Sequence, residues 1–179
     1  MTDRKTITAQ VAADRLDDQL QELAEVVSDG RSPDANPAEV EARRNGARYV
    51  AREYGSDAEV VIEALRTGAF GLVEDYAADA AREKMQSGGG AASNGLTRPF
   101  YVARGCVDAP FYDDGVQDYE DRVATVRGLP VEVSKWLEFE IGEHTDVDAG
   151  NSKSFADYLA ETSTETEASS GESGGTPPE

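Results

Sequence analysis

The chain has one cysteine, Cys106, and one histidine, His144, among 179 residues. A lone cysteine excludes an internal disulfide, and its company of Tyr101, Val102, Val107 and Phe111 suits a small buried hydrophobe. A cysteine nucleophile would need a partnered base, and His144 lies far along the chain, near the acidic C-terminal segment. Lysine is scarce: only Lys5, Lys84, Lys135 and Lys153 stand beside 13 arginines. No long apolar run and no signal-peptide pattern are present. The expectation is therefore a cytoplasmic protein, neither secreted by the usual route nor membrane-spanning.

Acid is abundant. There are 36 acidic against 17 basic residues, a net charge of −19 and a pI near 4.3. An acid-rich, lysine-poor surface suits a high-salt cytoplasm, because dense salt screens the self-repulsion. A partly disordered acidic chain is one alternative. An acidic surface that mimics nucleic acid or holds a basic partner is another, and composition leaves it open. A hydrophobic content of 39% and clear helical periodicity favour a folded middle.

Along the chain, residues 5–28 read as a helix with Leu16, Leu20, Leu23 and Val27 in one stripe. Asp29 to Asn36 is a break rich in turn residues. Asn36-Pro37-Ala-Glu39 then caps a helix that runs to Tyr54 and stops at Gly55. Ser56-Asp-Ala-Glu59 reads as a capping box for a third helix carrying Val60, Val61, Ile62 and Leu65. A fourth helix, Phe70 to Met85, shows Phe70, Val73, Ala77, Ala80 and Ala81 on one face. Residues 86–95, with three consecutive glycines, read as a flexible loop. Residues 97–105 fit either strand or helix, since a helix can start at Pro99 but not run through it. Val116, Tyr119, Val123 and Val126 repeat at helical spacing as far as Gly128. Pro130 opens the last strong helix, with Val133, Trp136, Leu137 and Ile141 inward.

The expected fold class is all-α, an irregular bundle of about five or six short helices with room for a minor strand near residue 100. Four parts are expected: residues 1–35, an N-terminal helix and linker; 36–145, the helical core domain; 146–161, a polar loop and a short amphipathic segment with Phe155, Tyr158 and Leu159; and 162–179, a disordered acidic tail.

No catalytic, cofactor or metal site is expected. Gly88-Gly-Gly90 lacks the Gly-Lys-Ser/Thr of a phosphate loop. Asp146-Val-Asp148-Ala-Gly150-Asn151 has its glycine one position early for a calcium loop and closes on Asp157 instead of glutamate. Asp113, Asp114, Asp118, Glu120 and Asp121 have no histidine, lysine or glycine-rich cradle nearby. Val50 to Gly55, followed by Val61 and Ala64, has helix-turn-helix spacing. Its second helix would carry Asp57, Glu59 and Glu63 towards phosphates, so nucleic-acid binding is not expected.

The stretch Tyr101 to Pro110, then Leu129-Pro130 and the run Val131 to Ile141, gathers apolar residues, prolines and the one tryptophan. Such residues are most often core; part of this surface can also form a groove for a partner helix. Together with the lead-in Arg66 to Tyr76, the turn Cys106-Val107-Asp108-Ala109-Pro110 and the closing Trp136-Leu137, this pattern over residues 66–143 resembles the tail assembly chaperones of long-tailed phages. The first sixty-odd residues and the glycine-rich insertion depart from that pattern. The resemblance implies a small helical chaperone of a haloarchaeal virus or provirus that binds the long helical tape-measure protein while a tail is built. It implies partner contacts at Tyr101, Cys106, Val107, Pro110, Leu129, Trp136, Leu137 and Ile141. The alternative is a structural virion component such as a connector, or an acidic adaptor of a halophile; self-association stays open.

Overall fold

The computed structural model describes residues 3–86, 97–112 and 118–149. The described chain is mostly helical with a small sheet. Its elements run β1 (Arg4–Thr8), α1 (Ala9–Ser28), α2 (Pro37–Tyr54), β2 (Glu59–Glu63), α3 (Thr67–Gln86), α4 (Thr97–Gly105), β3 (Cys106–Asp108), α5 (Tyr119–Gly128) and α6 (Val131–Ala149).

The sheet has the order β1-β2-β3, with both pairings antiparallel. Arg4 faces Glu63 and Thr8 faces Glu59. An irregularity between Val61 and Ile62 shifts the register against Asp108 and Cys106. Alternation explains β1 and β2: Ile7 on β1 and Val60 and Ile62 on β2 point into the core, while Glu59 stays out. The helix expected over 56–65 is thus a strand. Gly55 takes a φ of 112° and the Ala58 amide bonds back to the Gly55 carbonyl at 3.0 Å, so the expected capping segment is a turn. Residues 5–8, expected as the first turn of the first helix, belong instead to the strand Arg4–Thr8 that pairs with β2.

The Asn36 cap is as expected. Its Oδ1 accepts the Ala38 amide at 3.0 Å and Pro37 opens α2. Residues 97–105 are helix, and the minor strand lies just after them at Cys106–Asp108. α5 begins at Tyr119, where Asp118 caps it by accepting the Asp121 amide at 3.0 Å. The segment 146–149, expected as loop, continues α6. The glycine-rich loop beyond Gln86, residues 113–117, the Phe155–Leu159 segment and the C-terminal tail lie outside the described residues.

Packing follows the order α1, α2, α6, α4, with α3 and α5 both resting on α4. α6 is central. It lies between α2 and α4 and also touches β2, where Thr145 Oγ1 accepts the Leu65 amide at 3.0 Å. Asp17 of α1 ties α2 down by pairing with Arg44 at 3.3 Å and Arg48 at 2.5 Å. Among the described residues, no helix is long and apolar enough to cross a membrane.

Candidate partner-binding surface

Five of the eight residues expected to meet a partner are fully enclosed: Tyr101, Cys106, Trp136, Leu137 and Ile141. Val107 and Leu129 are half-buried, and Pro110 is exposed. The reason is the central place of α6. A stripe covered by α2 on one side and by α4 and β2 on the other offers nothing to an outside helix. Gly105 tightens this packing, since a Cβ there would meet Ile141 Cγ2 at 2.6 Å. In this fold the enclosed five are core, and any partner contact in this group is limited to Val107, Pro110 and Leu129.

Besides Thr145, α6 holds a charged node in its interior. Glu140 is only 1% exposed. Its carboxylate accepts from Trp136 Nε1 at 3.3 Å, pairs with Lys5 Nζ at 3.4 Å and also pairs with the Arg15 guanidinium. β1 and α1 are thereby fastened to α6 through a charge that would be costly to bury alone.

Cys106 has no catalytic setting. Burial pushes its thiol up to about 12, and the Tyr112 hydroxyl donates to its backbone carbonyl at 3.3 Å. A thiol kept protonated in a closed site is inert. Among the described residues, no group of three or more His, Cys, Asp or Glu is placed to hold a metal ion. Asp118 serves as a helix cap, Glu120 and Asp121 are exposed, and Asp113 and Asp114 lie outside the described residues. The helix-turn-helix spacing at 50–64 ends in strand β2, so no recognition helix exists there.

Among the described residues, two of the exposed large hydrophobic side chains, Leu72 and Tyr76, share α3, whereas Val11, Val27, Tyr54 and Val131 are exposed elsewhere. The 20-residue α3 packs chiefly on α4. Its inner stripe works as the periodicity implies: Val73 is fully buried and Phe70 meets the Tyr101 ring at 5.9 Å. A second stripe beside it is left open. Leu72 is 51% exposed and Tyr76 is 40% exposed, one helical turn apart. Tyr76 stacks on Phe100 at 6.1 Å and meets Tyr119 edge-on at 5.0 Å. The Tyr119 hydroxyl donates to the Phe100 carbonyl at 2.9 Å, and burial pushes its pKa up to about 12. An aromatic wall held by the ends of α4 and α5 therefore borders an exposed apolar edge.

Sequence reasoning did not single out Leu72 and Tyr76 as exposed. The signal was present, since the apolar arc of α3 is wider than one neighbouring helix covers. No family model, curated protein or solved structure matches this chain.

Proposed function

We propose that this protein is a non-enzymatic chaperone that binds the tape-measure protein during assembly of a viral tail, in the high-salt cytoplasm of the host cell. The supporting observation is the open edge of α3. A long helix packed chiefly on α4 presents Leu72 and Tyr76 beside a fixed aromatic wall, and helix-in-groove binding uses such an apolar surface. The resemblance over residues 66–143 supplies the particular partner. A tape measure exposes long apolar helical stripes before a tube encloses it. An apolar edge can cover those stripes, while a net charge of −19 keeps the complex dispersed.

Co-expression in high salt with the tape-measure candidate of the same genome tests this reading. The partner should stay soluble and co-purify with the chain. A candidate that is equally soluble alone and never captures the chain overturns the chaperone reading. Mass spectrometry of purified particles separates the two viral roles, because a chaperone is absent from the finished particle and a structural component is present.

A further inference from the structure

The open edge of α3 is apolar at one end and acidic at the other. Leu72, Tyr76, Asp79 and Glu83 follow one another at spacings of four, three and four residues, so they form one row along the helix. Asp75 flanks this row, and Asp75, Asp79 and Glu83 are all exposed. On the other side of Tyr76, the N-terminus of α5 brings Tyr119 into contact and carries exposed Asp118, Glu120 and Asp121. Two nearby cations are engaged, Arg82 with Asp79 at 2.9 Å and Arg127 over the Phe100 ring at 5.1 Å, while a third, half-buried Arg104, lies close enough to Tyr119 to act on its hydroxyl. The Arg82–Asp79 pair is exposed on both sides and costs little to open.

We propose that this edge docks a basic amphipathic helix. Apolar residues of the partner at three- and four-residue spacing would cover Leu72 and Tyr76, and its flanking lysines or arginines would face Asp75, Asp79 and Glu83. This rests on the helix-binding reading above and specifies the chemistry of the partner. Charge complementarity selects the occupant. A second copy would bring two acidic rows into one interface and set the acids of one copy against the apolar end of the other, and an anionic bilayer would be repelled by a net charge of −19. A basic helix gains from both the apolar contact and the field.

The test uses synthetic helices of about 18 residues, long enough to lie along the α3 edge. One has leucine at heptad spacing with lysine elsewhere, and its counterpart has glutamate in place of lysine. Calorimetric titration is done on the full chain in molar KCl, for the apolar contact, and again at the lowest KCl concentration at which circular dichroism shows the chain folded, where the charge comparison between the two peptides is read. The lysine peptide should bind and the glutamate peptide should not. Leu72→Asp should weaken binding by about tenfold or more, although it adds a negative charge. The combined Asp75→Asn, Asp79→Asn and Glu83→Gln variant should weaken it as well. Leu72→Ser repeats the test if circular dichroism shows that Leu72→Asp perturbs the fold. Unchanged or tighter binding by both Leu72 variants would mean diffuse attraction and overturn the site. Equal binding of the glutamate peptide would overturn the charge selection. A dimer in sedimentation that Leu72→Asp breaks would make a second copy the occupant and overturn the proposal. The viral reading fails separately: peptide binding without tape-measure capture leaves the site standing, whereas tape-measure capture untouched by Leu72→Asp removes the site and leaves the viral reading.

Discussion

Gly46 of α2 lies so close to Glu132 of α6 that a Cβ on it would stand 2.2 Å from the Glu132 carbonyl oxygen and 2.8 Å from the Val133 amide nitrogen. Both neighbours are backbone, so neither can turn aside. This glycine sets how closely two central helices approach. Gly46→Ala should destabilise the protein by about 1–3 kcal/mol through overpacking, although alanine is the better helix former. Gly71 is the control, since nothing lies within 4 Å of a Cβ there and its φ is not positive. Gly71→Ala in α3 should stabilise by about 0.4–1 kcal/mol. Thermal melts of the two variants should shift in opposite directions.

Trp136 is fully buried and donates its indole N–H to Glu140. Trp136→Ala should cost about 3–5 kcal/mol by opening a cavity. Trp136→Phe keeps most of the volume and loses a donor to a charged group, a cost of about 1.5–3 kcal/mol. Urea denaturation in high salt checks both. A near-neutral Trp136→Ala would contradict the enclosed position of α6.

Arg15 and Glu140 should prove energetically coupled. A double-mutant cycle with Arg15→Ala and Glu140→Gln should give about 0.5–3 kcal/mol. The value should fall near the lower end, because Arg15 remains more than half exposed. The carboxylate is buried, so this coupling should survive molar KCl better than that of Arg31 and Asp29, which are both exposed.

Cys106 gives the protein an alkaline limit. Burial raises its thiol from an ordinary 9.0 to about 12. A group whose folded value is raised contributes stability in full below its unfolded value, and that contribution is lost as pH climbs through the folded value. Stability should therefore decline from about pH 9 towards pH 12, with Tyr119, also raised to about 12, adding to the fall above pH 10. Cys106→Ala should flatten the early part of that decline. At pH 8 a thiol reagent should react with Cys106 only after denaturant is added. Rapid labelling of the native chain would show the site to be open.

The main helices were legible because caps and stripes agree locally. Asn36-Pro37 opens α2, Gly55 ends it, and Phe70, Val73, Ala77 and Ala80 of the expected α3 face pack against the core, whereas Val27, expected in the α1 stripe, is exposed near the end of that helix. The sheet was harder to read. Val60-Val61-Ile62 is β-branched and alternates inward and outward, but Ser56 and Glu59 also satisfy a capping box, and the partner that decides, Lys5 to Thr8, lies over fifty residues away. Long-range pairing overrode a local signal. The candidate site was misread for a related reason. A stripe such as Trp136, Leu137 and Ile141 shows that one face is apolar. It does not show that a second layer, here α4 with Phe100 to Ala103, closes over it. On α3 the opposite holds: the wide apolar arc of Phe70, Leu72, Val73 and Tyr76 can be read in the sequence, but that α4 and the start of α5 leave Leu72 and Tyr76 partly exposed is revealed by the packing.

Salt dependence follows from two opposed effects. Exposed ion pairs such as Arg48 with Asp17 and Arg82 with Asp79 weaken as salt rises, but each is worth only about 0–1 kcal/mol. Repulsion among a surplus of 19 negative charges (36 − 17) also weakens, and it acts over the whole surface. Its range is set by a Debye length of about 10 Å at 0.1 M and about 3 Å at 1 M. Repulsion should prevail, so the melting temperature should rise with KCl and helical circular dichroism should fall as KCl drops from molar to about 0.1 M. The Glu140 node is buried and should contribute little to the trend. Replacing Asp75, Asp79 and Glu83 by their amides removes three exposed negative charges and should lower the salt needed for the same melting temperature. Circular dichroism and melting temperature unchanged in dilute buffer would sink the high-salt reading. A melting temperature that falls with KCl would show that local ion pairs outweigh the net charge.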